Sequence, residues 1–402
     1  MLLLNIYICV YAIPKILVSL LQIFHVRKKM QQSPILLPQA EFQQAGLYTL
    51  ATQRLEMFET FFDVLVLFFL LRYGLFEFEA FLDEQMYFGV FTSTLYVLGV
   101  LFFLNLVKIP FELYKKFVID KHFGFFRGNL KDFLIDNLKS VFLLFVFGLP
   151  IIFIAIFIIT SSPYWWIYSA LFLSVIIILI NIFYPTLIAP LFNKFIPLED
   201  EVLKTQIQSL MVRAGFSSGG VFVVDASRRD GRLNAYFGGF GKTKRVVLFD
   251  TLIQKVSKDE LLAVLGHELG HFKHKDIYKN MLFIVAMLTF LLFIIAHIPE
   301  EVFLTESGIS RLPHSIIAFV ILFSPLVIFW LMPIFGFMSR HNEYQADKFG
   351  ATLQSAESLR NALLVLVNEN KSFPSSHPIY IFFYYTHPPL LQRLKALGFE
   401  SN

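Results

Sequence analysis

The chain has 402 residues, of which 56% are hydrophobic, 17% aromatic and only 16% charged, with a mean hydropathy of +0.64. A water-soluble domain carries more charge and less apolar surface, so the composition indicates a polytopic membrane protein. The net charge of +4 is small for so apolar a chain, which makes nucleic acid a poor candidate partner. The single cysteine, Cys9, excludes an intramolecular disulfide.

Seven apolar segments are long enough to cross a bilayer, since a spanning helix needs about twenty residues. They lie at 2–24, 57–76, 86–107, 139–160, 164–187, 281–298 and 314–336. The first is longer than the apolar part of a secretory signal, so we interpret it as a retained anchor. The second carries Glu59, Asp63 and Arg72, which favours a position facing a bundle interior or a wet cavity. Glu59 and Arg72 could equally lie near the two membrane surfaces.

Lys and Arg are concentrated in alternate connections between these segments and are nearly absent from the others. The rich connections join the first span to the second, the third to the fourth and the fifth to the sixth, and the tail after the seventh belongs with them. By the positive-inside rule, this asymmetry predicts that the N-terminus lies outside and the C-terminus in the cytoplasm. The stretch 110–139 alternates aromatic and charged residues, which predicts amphipathic helices on the cytoplasmic surface.

The largest polar region, 191–280, has a pattern of short apolar runs in place of long apolar segments. Short runs rich in β-branched and aromatic residues at 220–225, 234–237 and 245–249 predict a small sheet. Gly238, Gly239 and Gly241 are typical of the turn between its second and third strands. We therefore divide the chain into spans one to five with surface helices (1–190), a cytoplasmic region with the sheet (191–280), a transmembrane hairpin (281–336) and a cytoplasmic C-terminal segment (337–402).

A helix with metal-binding potential follows the sheet. Ser257 and Glu260 have the spacing of a capping box, and the apolar residues after them continue a helix. On this helix, His267 and His271 are one turn apart and can share one metal ion, while Glu268 can reach a water beside it. In zinc hydrolases the metal lowers the pKa of water to about 7 and such a glutamate removes the proton.

A third ligand is predicted at Glu343, directly after the seventh span. The sixth and seventh spans form a hairpin, so the end of the motif helix and the Glu343 segment emerge on the same side of the membrane. Asp347, one turn further on, could accept the second ring N–H of a metal-bound histidine. The alternatives are a charged membrane-edge anchor for the cluster and a surface i,i+4 contact for Asp347.

These features together resemble the type I CAAX prenyl protease family of membrane zinc metalloendopeptidases. The resemblance rests on the spans and on motifs that stand in this order: Asn-Ala-Tyr-Phe-Gly-Gly-Phe-Gly-Lys at 234–242, His-Glu-Leu-Gly-His at 267–271, Ser-Arg-His-Asn-Glu-Tyr-Gln-Ala-Asp at 339–347, and His-Pro-Pro-Leu at 387–390. It implies an all-α polytopic fold in which seven transmembrane helices form a barrel around a large water-filled chamber, with a small cytoplasmic protease region that contains the short sheet.

The resemblance also implies roles for single residues. One Zn²⁺ per chain would be held by His267, His271 and Glu343, with Glu268 as the base. Asn234 and Ala235 would pair with an extended substrate backbone, a role that suits an edge strand, although ordinary sheet packing is the alternative. His387 would reach the oxyanion of the tetrahedral intermediate, unless it is a rigid turn residue. Arg393 could bind a substrate carboxylate, pair with an acid of the zinc site or form a structural salt bridge.

The function expected from these residues is hydrolysis of peptide bonds by a membrane-embedded zinc metalloendopeptidase. In the family, the substrate is a prenylated protein that loses the tripeptide after its modified cysteine. The partners expected are therefore a peptide or prenylated protein and the lipid bilayer. The alternatives are a quality-control metalloprotease and a lipid-binding or transport protein with structural zinc. The short loops and the absence of a C-terminal di-lysine signal favour a bacterial inner membrane, with the endoplasmic reticulum expected if the source is eukaryotic.

Overall fold

The computed structural model describes residues 2–87, 89–216, 219–238, 245–307 and 310–399. Long helices make up the first half of the chain: α1 at Leu2–Met30, α2 at 39–85, α3 at Val90–Asp120, α4 at Leu130–Ser161 and α5 at Trp165–Phe192. Each of these five helices contains a π-helical segment. Those of α2 and α4, for example, lie at Leu70–Gly74 and Leu144–Gly148.

The second half alternates short elements with two further long helices. The helices are α6 at Glu201–Arg213, α7 at Asp250–Lys255, α8 at Lys258–Lys273, α9 at Asp276–Ala296, α10 at Glu300–Ser307, α11 at Pro313–Leu353, α12 at Ala356–Glu369, α13 at Pro378–Tyr384 and α14 at Leu390–Ala396. The strands are β1 at Phe195–Pro197, β2 at Val221–Val224, β3 at Ala235–Gly238 and β4 at Arg245–Phe249.

Six helices in the described part of the chain are long and apolar enough to cross a membrane: α1, α3, α4, α5, α9 and α11. The predicted second span, 57–76, lies inside α2. Helix α2 is not one of the six, because it contains too many charged residues. Asp63 of α2 forms an ion pair with Lys108 of α3, which places that carboxylate against a neighbouring helix. Lys15 of α1 lies 3.7 Å from Glu56 of α2. The protein is thus a multi-pass helical membrane protein, while the barrel of seven helices around a chamber stays a prediction.

The predicted surface helices at 110–139 are continuous with membrane helices. Helix α3 runs on through Pro110 to Asp120, and α4 begins at Leu130. Asn129 caps α4, because its side-chain oxygen accepts a hydrogen bond from the backbone N–H of Asp132 at 2.9 Å. The aromatic and charged residues therefore lie on ends of long helices and on the short connection between them.

The sheet confirms the three predicted strands and adds a fourth. Its order is β1-β2-β4-β3, with β2 and β4 parallel and the outer pairs antiparallel. The sequence did not indicate β1, since its three residues end in a proline directly after a membrane helix. Gly238 closes β3, whereas Gly239 and Gly241 of the predicted turn lie outside the described residues. Strand β3 is at the edge of the sheet.

The core of the protease region joins elements that are distant in sequence. Leu261, Leu265 and Leu269 of α8 pack with Val246 and other buried residues of the sheet. The same cluster includes residues of α6 and Ala362 of α12. The C-terminal segment is therefore part of the hydrophobic core that holds the motif helix.

Candidate active site

The predicted capping box forms at the start of α8. The Ser257 hydroxyl accepts a hydrogen bond from the backbone N–H of Glu260 at 3.3 Å, and the Glu260 carboxylate accepts one from the N–H of Ser257 at 2.8 Å. These bonds satisfy two backbone donors that the first turn leaves free. The helix is thereby fixed at its beginning, three turns before the two histidines.

Helices α8 and α11 cross at small residues. A methyl group on Gly270 would lie 2.7 Å from the Cα of Ala346, and one on Gly350 would lie 2.7 Å from the backbone nitrogen of His267. One on Gly266 would lie 3.1 Å from the Cα of Gly350. Backbone atoms cannot move aside as a flexible side chain can, so only glycine fits at the two closest positions. The crossing brings the backbones near enough for short side chains to meet.

His267, His271 and Glu343 come together at this crossing. The Nε2 atoms of the two histidines are 3.2 Å apart. Glu343 Oε1 lies 3.2 Å from the Nε2 of His271, and Oε2 lies 3.5 Å from that of His267. One ligand atom from each residue falls within 4.8 Å of the others, which is the spacing of a metal site. Helix α11 carries Glu343 without a break from the seventh predicted span.

Each histidine turns its other ring nitrogen toward a buried carboxylate. Nδ1 of His267 lies 2.8 Å from Oδ1 of Asp347, although the ring N–H is not well aligned with that oxygen. Nδ1 of His271 lies 3.0 Å from Oδ2 of Asp276. Such carboxylates orient histidine ligands and select the tautomer that leaves Nε2 free for a metal.

Asp276 was not among the predicted site residues. It is the first residue of α9, and the left-handed backbone of Lys275, at φ +59°, turns the chain back so that Asp276 reaches His271. Lys279 donates a hydrogen bond to its other oxygen at 2.8 Å. An acidic residue just after the motif helix was the available signal, but the turn that brings it back was not visible in the sequence.

Arg393 is buried beside the metal-site acids. It donates to both oxygens of Asp347, from Nε at 2.8 Å and from Nη2 at 2.6 Å. Its Nη1 lies 3.5 Å from Glu343 Oε2. This geometry is an ion pair with two acids of the site, and it fits both the predicted pairing with a site acid and the predicted structural salt bridge. A contact between Arg393 and a substrate stays a prediction.

A cavity of about 570 Å³ opens onto these residues. Its wall includes Asn234, Ala235, His267, Glu268, His387 and Arg393, so most of the predicted site residues share one space. Burial raises the pKa of the Glu268 carboxyl, while His267 and His271 oppose that shift. A carboxyl group with a raised pKa accepts a proton more readily, as a base needs to.

His387 faces the cavity with 63% of its side chain accessible. Its Nε2 lies 3.3 Å from Glu343 Oε1, and its Nδ1 lies 3.0 Å from the Thr386 hydroxyl. Although water can reach the His387 ring, the surrounding protein partly desolvates the ring and lowers its pKa. The negative charge of Glu343 opposes this shift. A neutral ring carries its proton on one of the two nitrogens, and the tautomer with the proton on Nε2 presents a donor to the cavity while Nδ1 accepts from Thr386.

Comparisons with known proteins cover nearly the whole chain. Residues 197–400 match peptidase family M48, and residues 22–194 match the CAAX prenyl protease N-terminal domain of five membrane helices. The chain is 37% identical to CAAX prenyl protease 1 homolog of Arabidopsis thaliana, over 76% of this chain and 73% of that protein. The chain belongs to the CAAX prenyl protease family. This finding confirms the resemblance drawn from the motifs and makes the protein a membrane protease.

Other members of the CAAX prenyl protease family show the same relationship. CAAX prenyl protease 1 of Saccharomyces cerevisiae is 36% identical, over 77% of this chain and 73% of its own length. The crystal structure of S. mikatae Ste24p matches with a TM-score of 0.87 and 28% identity, and the match covers 98% of both chains. The helical architecture is thus shared along the full length with a solved member of the family.

We expect Asp276→Ala to weaken zinc binding about 10- to 100-fold, the usual effect of removing the carboxylate behind a histidine ligand. Competition with a chromophoric chelator on purified protein measures the affinity. Asp276→Asn keeps an acceptor for His271 and is the matched control, with a smaller loss. Equal affinities for wild type and Asp276→Ala would show that Asp276 does not orient His271.

Proposed function

We propose that the protein is a zinc metalloendopeptidase that cleaves peptide bonds at the membrane surface. The observation that carries this proposal is the convergence of His267, His271 and Glu343 on one point, beside a cavity whose wall contains His267 and Glu268. Two imidazole nitrogens and a carboxylate that leave a fourth position open are the donor set of catalytic zinc. A closed structural site would normally contain a fourth protein ligand and would have no need of Glu268.

The residues present fit a zinc ion. Glu343 Oε2 is buried and makes no hydrogen bond to the described residues. Its charged neighbours, His267 Nε2 and Arg393 Nη1, each lie 3.5 Å away, so a cation held with His267 would give this oxygen a direct partner. Both histidines direct their Nε2 atoms to the same point, and a carboxylate lies behind each ring. When bound, zinc polarises a carbonyl group and makes water a better nucleophile at neutral pH.

Glu268 and His387 would act from the cavity wall. Glu268 follows His267 directly and would take the proton from the attacking water and later give it to the leaving amine. His387, with a neutral ring and a proton on Nε2, would donate a hydrogen bond to the oxygen that becomes negative during the attack. Arg393 would act by fixing Asp347, which in turn orients His267.

The substrate would bind in an extended form along β3. Asn234 and Ala235 line the cavity together with Glu268, and among the described strands β3 pairs with β4 alone. An exposed strand edge can bind a peptide through backbone hydrogen bonds. The names of the relatives indicate the substrate class, a protein with a C-terminal CAAX sequence and a prenylated cysteine.

The direct test compares wild type with Glu268→Gln on a farnesylated peptide and on the same peptide without the lipid. We expect Glu268→Gln to retain zinc and to lose at least about 10²-fold in kcat/KM, because the base is removed while the ligands stay. Chelator treatment should inactivate the wild type, and added zinc should restore it. Full activity of Glu268→Gln would contradict the role of Glu268, and cleavage of neither peptide by wild type would contradict the proposed activity.

The same proposal places the site on the cytoplasmic side, with the N-terminus outside. In a Cys9→Ser background, Val202→Cys marks the site side, since Val202 is 64% exposed on α6. Tyr87→Cys, at a position 94% exposed in the connection after α2, marks the opposite side. An impermeant thiol reagent added to intact cells should label position 87 and leave position 202 unlabelled until the membrane is opened. The reverse pattern would contradict this orientation.

A further inference from the structure

The free edge of β3 presents backbone groups at alternate residues. The N–H of Phe249 donates to the carbonyl oxygen of Asn234 at 3.1 Å, so residue 234 bonds inward to β4. In an antiparallel pair the inward and outward positions alternate along the strand. Ala235 and Phe237 therefore turn their N–H and C=O groups outward, and Leu233 is in phase with them.

The side chain of Asn370 already occupies the outward groups of Leu233. The N–H of Leu233 donates to Asn370 Oδ1 at 2.8 Å, and Asn370 Nδ2 donates to the carbonyl oxygen of Leu233 at 3.2 Å. The amide thus makes the two hydrogen bonds that a residue of a neighbouring strand would make. At Leu233 the edge is closed, whereas two residues further on, at Ala235, it faces the cavity.

Asn370 is held rigidly for this contact. It caps the C-terminus of α12, and the next residue, Lys371, adopts a left-handed conformation with φ +47°. Backbone N–H groups of Lys371 and Ser372 donate to the carbonyls of Asn368 and Val367 at 3.0 and 2.9 Å, which closes a Schellman turn. The Lys371 ammonium lies 5.1 Å from the centre of the Phe125 ring, which ties the turn to the connection after α3.

We propose that Asn370 determines how far a substrate can pair with β3, and so limits the length of the segment that follows the scissile bond. This inference rests on the proposed function. A peptide that runs antiparallel to β3 directs its C-terminal end toward Leu233. Pairing can begin at Ala235, but two peptide residues later it meets the Asn370 amide. The edge therefore suits a short C-terminal leaving segment, and a longer one must bend away from the strand.

A purely structural role for Asn370 makes a different prediction. If the amide only anchored the start of β3, its loss would weaken cleavage of every peptide by a similar factor. If it closes the edge, its loss changes how cleavage depends on the length of the leaving segment. The two roles are separated by a series of peptides of one sequence, lengthened one residue at a time on the C-terminal side.

The experiment measures kcat/KM for this series with wild type, Asn370→Ala and Asn370→Asp, with products identified by mass spectrometry. For wild type we expect a fall of about fivefold or more once the leaving segment passes the closed position, the scale of one lost hydrogen bond. Asn370→Ala should remove this fall. Asn370→Asp keeps the acceptor for the Leu233 N–H and loses the donor. Its decrease in kcat/KM with length should be intermediate between those of wild type and Asn370→Ala.

Two controls complete the design. Asn368→Ala alters the same helix end at a side chain that makes no hydrogen bond to the described residues of β3, and it should behave as wild type. Peptides lengthened on the N-terminal side should respond equally in all variants. Unchanged length dependence in Asn370→Ala, a uniform loss over the series, or an effect confined to N-terminal extension would each overturn the proposal. Failure of wild type to cleave any peptide would instead overturn the proposed peptidase function, on which the role of Asn370 rests.

Discussion

The close crossing of α8 and α11 is the constraint on which the site depends. A histidine pair on one helix and a glutamate on another can share an ion only if the two backbones are near, because none of these side chains is long. Gly266, Gly270 and Gly350 allow that approach. The capping box and the hydrophobic core fix α8, and the membrane span that continues into α11 fixes Glu343. The membrane part thus contributes directly to the geometry of the site.

Around this crossing, buried charges are paired in a continuous set of contacts. Arg393 of α14 binds Asp347, which lies behind His267, and Lys279 of α9 binds Asp276, which lies behind His271. An unpaired charge in such a place would be strongly destabilising, and removal of one partner leaves the other exposed to that cost. The pairing also restricts each imidazole to one orientation. The elements after the seventh span therefore complete the site as well as the core.

Much of this arrangement was predictable because it follows from local patterns. The capping box, the helical spacing of His267 and His271 and the β-branched and aromatic runs of three strands all act within a few residues. Glu343 was predictable for a topological reason, since a membrane hairpin returns the chain to the same side. The contacts of Asp276 and Asn370 were not predictable, because each depends on a left-handed turn at a lysine. The acids that pair with Arg393 could not be chosen from the sequence, because the packing of α14 brings Arg393 to Asp347 and Glu343.

One added methyl group can test whether the site depends on the close crossing of α8 and α11. Gly270→Ala should favour an isolated helix by about 1 kcal/mol, yet its methyl group would lie 2.7 Å from the Cα of Ala346 and would push the helices apart. Gly148→Ala is the matched control, since its methyl group would meet only side-chain carbons at 3.3 Å or more. The decisive measurement is the zinc content per chain of purified wild type and both variants. We predict one zinc in wild type and Gly148→Ala and a clear loss in Gly270→Ala; full zinc content in Gly270→Ala would contradict the account.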